Sequence, residues 1–85
     1  MQQHIYYTKY ALHFADMPIS ELVSIFNAQV HHRGWSFMRA CHDKALMDEF
    51  KRRGIDTTAI ENGRAIFFTN LIRYNIVDNR LIAIG

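Results

Sequence analysis

The chain has 85 residues, 49% of them apolar, and a formal net charge of +2. That length makes a single domain, 1–85, with a modest core, and the composition excludes a disordered chain. The charge is too small to demand a polyanionic partner, and the single cysteine, Cys41, excludes an intramolecular disulfide scaffold.

No apolar run approaches the ~18 residues of a membrane helix. Met1-Gln2-Gln3-His4 lacks the basic and apolar parts of a secretory signal. The expectation is a soluble, cytoplasmic protein. Seven of the ten basic residues are Arg. Its guanidinium makes bidentate contacts and tolerates partial burial better than Lys, which points to ion pairs or an interface.

Residues 4–14 are rich in β-formers. Tyr6, Thr8, Tyr10, Leu12 and Phe14 share one parity, and the period of 2 predicts a strand. A helical reading through Tyr6, Tyr7, Tyr10, Ala11 and Phe14 competes with it. Residues 18–31 read as a helix with Pro18 in its first turn and Asp16 or Ser20 as cap. Ile19, Leu22, Val23, Phe26 and Val30 form its apolar stripe, and Gly34 ends the segment.

A second helix is predicted over 36–53, capped by Ser36 and stopped by Gly54, with Lys51, Arg52 and Arg53 at its negative end. Its apolar residues lie on two sides. Phe37, Met38, Cys41 and Ala45 face one way; Leu46, Met47 and Phe50 face the other. Either both sides are covered, which suggests a partner chain, or the helix breaks near Asp43.

The remainder reads as β. Asn62-Gly63 is a type I′ turn signal between strands Thr57–Glu61 and Arg64–Asn70. Asp78-Asn79 offers a turn between Leu71–Val77 and Arg80–Ile84. The predicted fold is α+β: two helices packed on a small, mostly antiparallel sheet, in the order β-α-α-β-β-β.

The densest polar cluster is His31, His32, Arg33, Trp35, Arg39, Cys41 and His42. Its spacing matches no zinc motif, so no metal or other cofactor is expected. A nucleophilic Cys41 would need a base beside it, and His42, its neighbour on a helix, points elsewhere. Asp48 and Glu49 read as a solvated helix face. Glu49 and Arg53 form an i,i+4 pair in the favourable order. There is no phosphate-binding glycine motif.

These residues lean away from an enzyme. They favour a small non-enzymatic interaction or regulatory module that self-associates through the second helix or a sheet edge, with another protein partner also open. The candidate interface residues are Trp35, Phe37, Met38 and Cys41. The alternative is a nucleic-acid-binding regulator in which Lys51, Arg52 and Arg53 contact phosphate. The short basic run predicts weak, salt-dependent nucleic-acid binding at most.

Overall fold

A computed structural model describes residues 5–32, 34 and 36–85. Its elements are α1 (Ile5–Ala15), α2 (Ile19–Gln29), α3 (Phe37–Arg52), β1 (Ile72–Asn75) and β2 (Arg80–Ala83). Three helices thus pack with one two-stranded antiparallel sheet. The α+β class holds, but the expected order of elements does not.

The first correction concerns residues 4–14. Residues 5–15 are a helix, not a strand. The stretch satisfies both periods, and the surroundings decide between them. Tyr7, Tyr10, Ala11 and Phe14 form a stripe at helical spacing that packs against the core, with Phe14 buried. The neighbour that receives this stripe is a helix, α3. No sheet edge is offered to it, so the β-propensity of Tyr and Thr has nothing to act on.

α2 starts later and ends earlier than expected. Pro18 sits at the N-cap without a side-chain cap, so neither Asp16 nor Ser20 closes this end. The Pro18 carbonyl accepts the amides of Glu21 and Leu22 instead. Leu22 and Phe26 are buried. At the far end Val30 is extended and His31 is left-handed (φ 64). The His31 amide is anchored on the Phe68 carbonyl at 3.0 Å.

α3 runs unbroken through Asp43. Ser36 caps it as expected, its Oγ accepting the Arg39 amide at 3.0 Å. Gly54 closes it with φ 73. The amides of Gly54 and Ile55 bond the carbonyls of Lys51 and Phe50, the double closure of a Schellman motif. Phe50 and Ile55, the apolar pair of that motif, are both buried.

The two apolar sides of α3 are both covered by its own chain. Cys41, Ala45, Leu46, Met47 and Phe50 are all buried. Phe14, Leu22, Phe26, Ile55, Ile60, Ile72 and Leu81 complete one cluster with the last four. α1 covers one side of the helix and the rest of this cluster fills the other. The reason for expecting a second subunit on this helix is therefore gone, except at Phe37 and Met38, which stay about half exposed.

The strands expected over 57–61 and 64–70 reduce to one isolated antiparallel bridge, Glu61↔Ile66. Side chains take the bonds a ladder would use. Asp56 Oδ1 accepts the Thr58 amide, and the Thr57 carbonyl accepts the Ile60 amide, coiling 56–60 into a turn. Asn62 Oδ1 accepts the amides of Arg64 and Ala65 at 2.9 Å each. Gly63 has φ 88 while Asn62 does not enter the left-handed region, so this is not the type I′ turn expected. Phe68 then stacks on Phe26 at 4.7 Å, which carries the segment onto α2.

The hairpin forms where expected, with shorter strands. Ile72 pairs with Ala83, Arg73 with Ile82, Tyr74 with Leu81 and Asn75 with Arg80. Residues 76–79 make a four-residue turn, held by Asn75 Oδ1 on the Val77 amide and closed by left-handed Asn79 (φ 50). Both outer edges are engaged at one point, β1 at its first residue and β2 at its second. Asp56 lies parallel to β2, its carbonyl accepting the Leu81 amide at 3.0 Å. On the β1 side, Asn27 of α2 imitates a strand: Oδ1 accepts the Ile72 amide at 2.8 Å and Nδ2 donates to the Ile72 carbonyl at 3.0 Å.

Among the described residues no helix is long and apolar enough to cross a membrane.

The Asn27 clasp is testable. Asn27→Ala leaves both Ile72 backbone groups without their partner beside a buried side chain. The expected cost is about 2 kcal/mol of folding stability, read as a lower urea midpoint at unchanged slope. Asn27→Asp keeps the acceptor and loses the donor, so it should fall between the two.

Candidate functional site

Glu49 contradicts its reading as part of a solvated face: it is 5% exposed. Buried carboxylates need charged partners, and Glu49 has two. Arg52 donates Nε and Nη2 to its two oxygens at 2.9 and 2.6 Å. Arg53 donates Nε to Oε2 at 2.5 Å. The other arm of Arg53 reaches the end of α1, with Nη2 3.0 Å from the Phe14 carbonyl and 2.6 Å from the Met17 carbonyl. These pairs hold the Glu49 carboxyl below its ordinary range, the hydrogen bond from Arg52 contributing most and burial opposing it.

This accounts for two residues of the basic run. Arg52 and Arg53 are committed to Glu49, and Lys51 Nζ lies 3.8 Å from Glu61 Oε1. The three side chains named as phosphate contacts are thus engaged within the fold.

The histidine and cysteine cluster does not converge. Cys41 is buried on α3. His42 is wedged against α1, edge-on to Tyr10 at 5.0 Å and Phe14 at 5.3 Å, with Nδ1 3.1 Å from Asp43 Oδ1. His31 and His32 are exposed in the α2–α3 connection. Among the described residues no three His, Cys, Asp or Glu side chains are placed to hold a metal ion. Arg33 and Trp35 lie outside the described residues, and so does the candidate interface role of Trp35.

Two open clefts flank α3 on the side of residues 61–68. The larger, about 570 Å³, is lined by His32, Arg39, Asp43, Lys44, Arg64 and Phe68, among others. Its basic character is mostly cancelled. Arg39 donates to Asp43 and to the carbonyls of His32 and Gly34, and its guanidinium lies 5.5 Å from the Phe68 ring centre. Lys44 turns toward α1, 3.0 Å from Asp48 Oδ2 and 5.6 Å above the Tyr7 ring. Tyr7 donates its hydroxyl to the same Asp48 oxygen at 2.5 Å. Burial, then that bond, pushes the phenol up to about 12, so it stays a neutral donor.

What the fold leaves open is the outer side of the hairpin. Pairing places Ile72, Tyr74 and Leu81 on the core side. Arg73, Asn75, Arg80 and Ile82 take the other side. The Ile84 amide donates to the Leu71 carbonyl at 2.8 Å, which extends the register and adds this pair to the outer face. Leu71 is 44% exposed and Ile84 54%. At the tip, Ile76 and Val77 are 79% and 87% exposed. Among the described residues no carboxylate lies within ion-pair distance of Arg73 or Arg80. Asp56, bridged to Arg80 along the backbone, is bonded to Thr58 and feels Arg80 only as its weakest influence.

Sequence reading did not single out this surface. The signal was the opposite parity: Leu71, Arg73 and Asn75 alternate with Ile72 and Tyr74. Ile76 keeps the buried parity, yet it is exposed because the turn begins there.

The Glu49 pairs predict a pH dependence. The folded carboxyl titrates below its unfolded value of about 4.3. Its stabilisation is therefore complete above that value and is lost as pH falls through the folded pKa. Glu49→Gln should cost about 3 kcal/mol at neutral pH. As pH falls below that unfolded value and through the lower folded one, the gap between variant and wild type should shrink in urea melts. A constant gap would remove the charge from the explanation.

Comparison with known proteins finds no family model, no curated protein and no solved structure that matches this chain, so its function is read from geometry.

Proposed function

We propose that the chain is a small non-enzymatic interaction module that docks a protein partner on the outer face and tip of the β1–β2 hairpin. The observation that carries this is the Ile76-Val77 pair, aliphatic and almost fully exposed in a turn. Turns of this kind ordinarily hold Gly, Asn, Asp, Ser or Pro, each for a backbone reason. Ile and Val have no such reason and gain no burial there. On the other side of the polar Asn75–Arg80 pair, exposed Leu71 and Ile84 with half-buried Ile82 add aliphatic surface of the kind found at interaction sites.

The polar side chains of α1 and α3 support the same reading. Glu49, Asp48, Asp43 and His42 each have partners inside the fold. Asp48, His42 and, through Arg53, Glu49 brace α3 against α1, while Asp43 pairs within α3. The alternative, nucleic-acid binding through Lys51, Arg52 and Arg53, would compete with their pairs to Glu49 and Glu61.

Cross-linking in cells tests this. The double variant Ile76→Ser with Val77→Ser should melt within about 0.5 kcal/mol of wild type, because these side chains touch little. It should lose the cross-linked partner, while the exposed control Lys9→Ser keeps it. Identical partners for wild type and the tip variant would reject the hairpin as the docking surface.

A further inference from the structure

We propose that the occupant of the hairpin's outer face is an acidic protein segment with aliphatic side chains, and not a second copy of this chain. This rests on reading that face as a docking surface.

Charge points to the occupant. Arg73 stands opposite Ile82, and Arg80 stands opposite Asn75. The two arginines are therefore diagonal neighbours on one face, about 7–8 Å apart at Cβ in such a ladder. Both guanidinium groups are exposed, and no carboxylate lies within ion-pair distance of either among the described residues. Guanidinium groups pair with carboxylates in a bidentate way, and Leu71, Ile82 and Ile84 beside them supply apolar contact.

Charge and area also separate the occupants. Stacking two copies face to face would bring the arginines of both onto one patch, with Asp56 and Asp78 only at its margin and already bonded to Thr58 and Asn75. The area also falls short. A face of six residues by two strands measures roughly 20 by 10 Å, on the order of 200 Å². A stable protein–protein interface buries about 800 Å² per partner. The face suits a short segment bound weakly. Nucleic acid fits less well, because its bases stack on aromatic rings and the exposed apolar residues of this face are aliphatic.

Four probes decide it, all read by amide NMR on the isotope-labelled full chain. They are a peptide of about eight residues alternating Leu and Glu, its Leu–Lys counterpart, a single-stranded oligonucleotide, and the protein's own concentration. The Leu–Glu peptide should shift residues 71–84 with micromolar affinity that weakens as salt rises. The double variant Arg73→Gln with Arg80→Gln should bind it about tenfold less tightly at an unchanged melting temperature. If the Leu–Lys peptide binds equally, the oligonucleotide binds more tightly, or residues 71–84 shift with concentration as dimers form, the face is a docking surface but the acidic occupant is wrong. If no probe moves residues 71–84, both the occupant and the docking surface are rejected.

Discussion

The fold depends on one buried carboxylate. Glu49 sits where α1, α3 and the start of α2 meet, and Arg53 links it to the carbonyls of Phe14 and Met17. Those carbonyls end α1 and lead into α2, and the Phe14 carbonyl also accepts the Met17 amide at 3.1 Å. A single guanidinium thus joins a carboxylate on one helix to the end of another, as a further donor there. The apolar contact of α1 with α3 provides the area; the Glu49–Arg53 pair sets how the two helices register.

Around that joint the polar groups are used locally. Tyr7, Asp48 and Lys44 form a second brace between α1 and α3, farther along the same seam. His42 fills the seam edge-on between Tyr10 and Phe14. Seen from sequence, these residues looked like candidate chemistry or solvated surface. In the fold they are the polar half of a helix–helix contact, which explains why acids, histidine and tyrosine sit on helices with modest apolar stripes.

Much of this was legible residue by residue, and the failures have definite causes. Ser36, Gly54 and the 71–84 hairpin were readable because caps, left-handed stops and paired strands are local. α1 was misread because Tyr6, Tyr10 and Phe14 fit both periods, and only the presence of α3 beside them selects the helix. The strands over 57–70 failed because Asp56 and Asn62 bond nearby amides, a competition that β-propensity ignores. Glu49 was assigned to solvent because its i,i+4 pairing with Arg53 was visible but its burial depends on where α1 ends. The Arg73–Arg80 face was missed because the second hairpin was read for its core side.

The hairpin's surroundings occupy part of each strand edge and all of its inner face. Strand addition would need a free edge. Asn27 holds the β1 edge at Ile72, and Asp56 holds the β2 edge at Leu81. The inner face is filled by Phe26, Phe50 and the rest of the core. On the proposed reading a partner comes face-on, over side chains more than over backbone, and what it meets is two arginines for charge, Leu71, Ile82 and Ile84 for contact, and the Ile76-Val77 tip past the end of the sheet. A binder that reads side chains in this way tolerates changes of backbone conformation in its partner and discriminates by charge. That fits a module that selects short segments more readily than one that builds a permanent assembly.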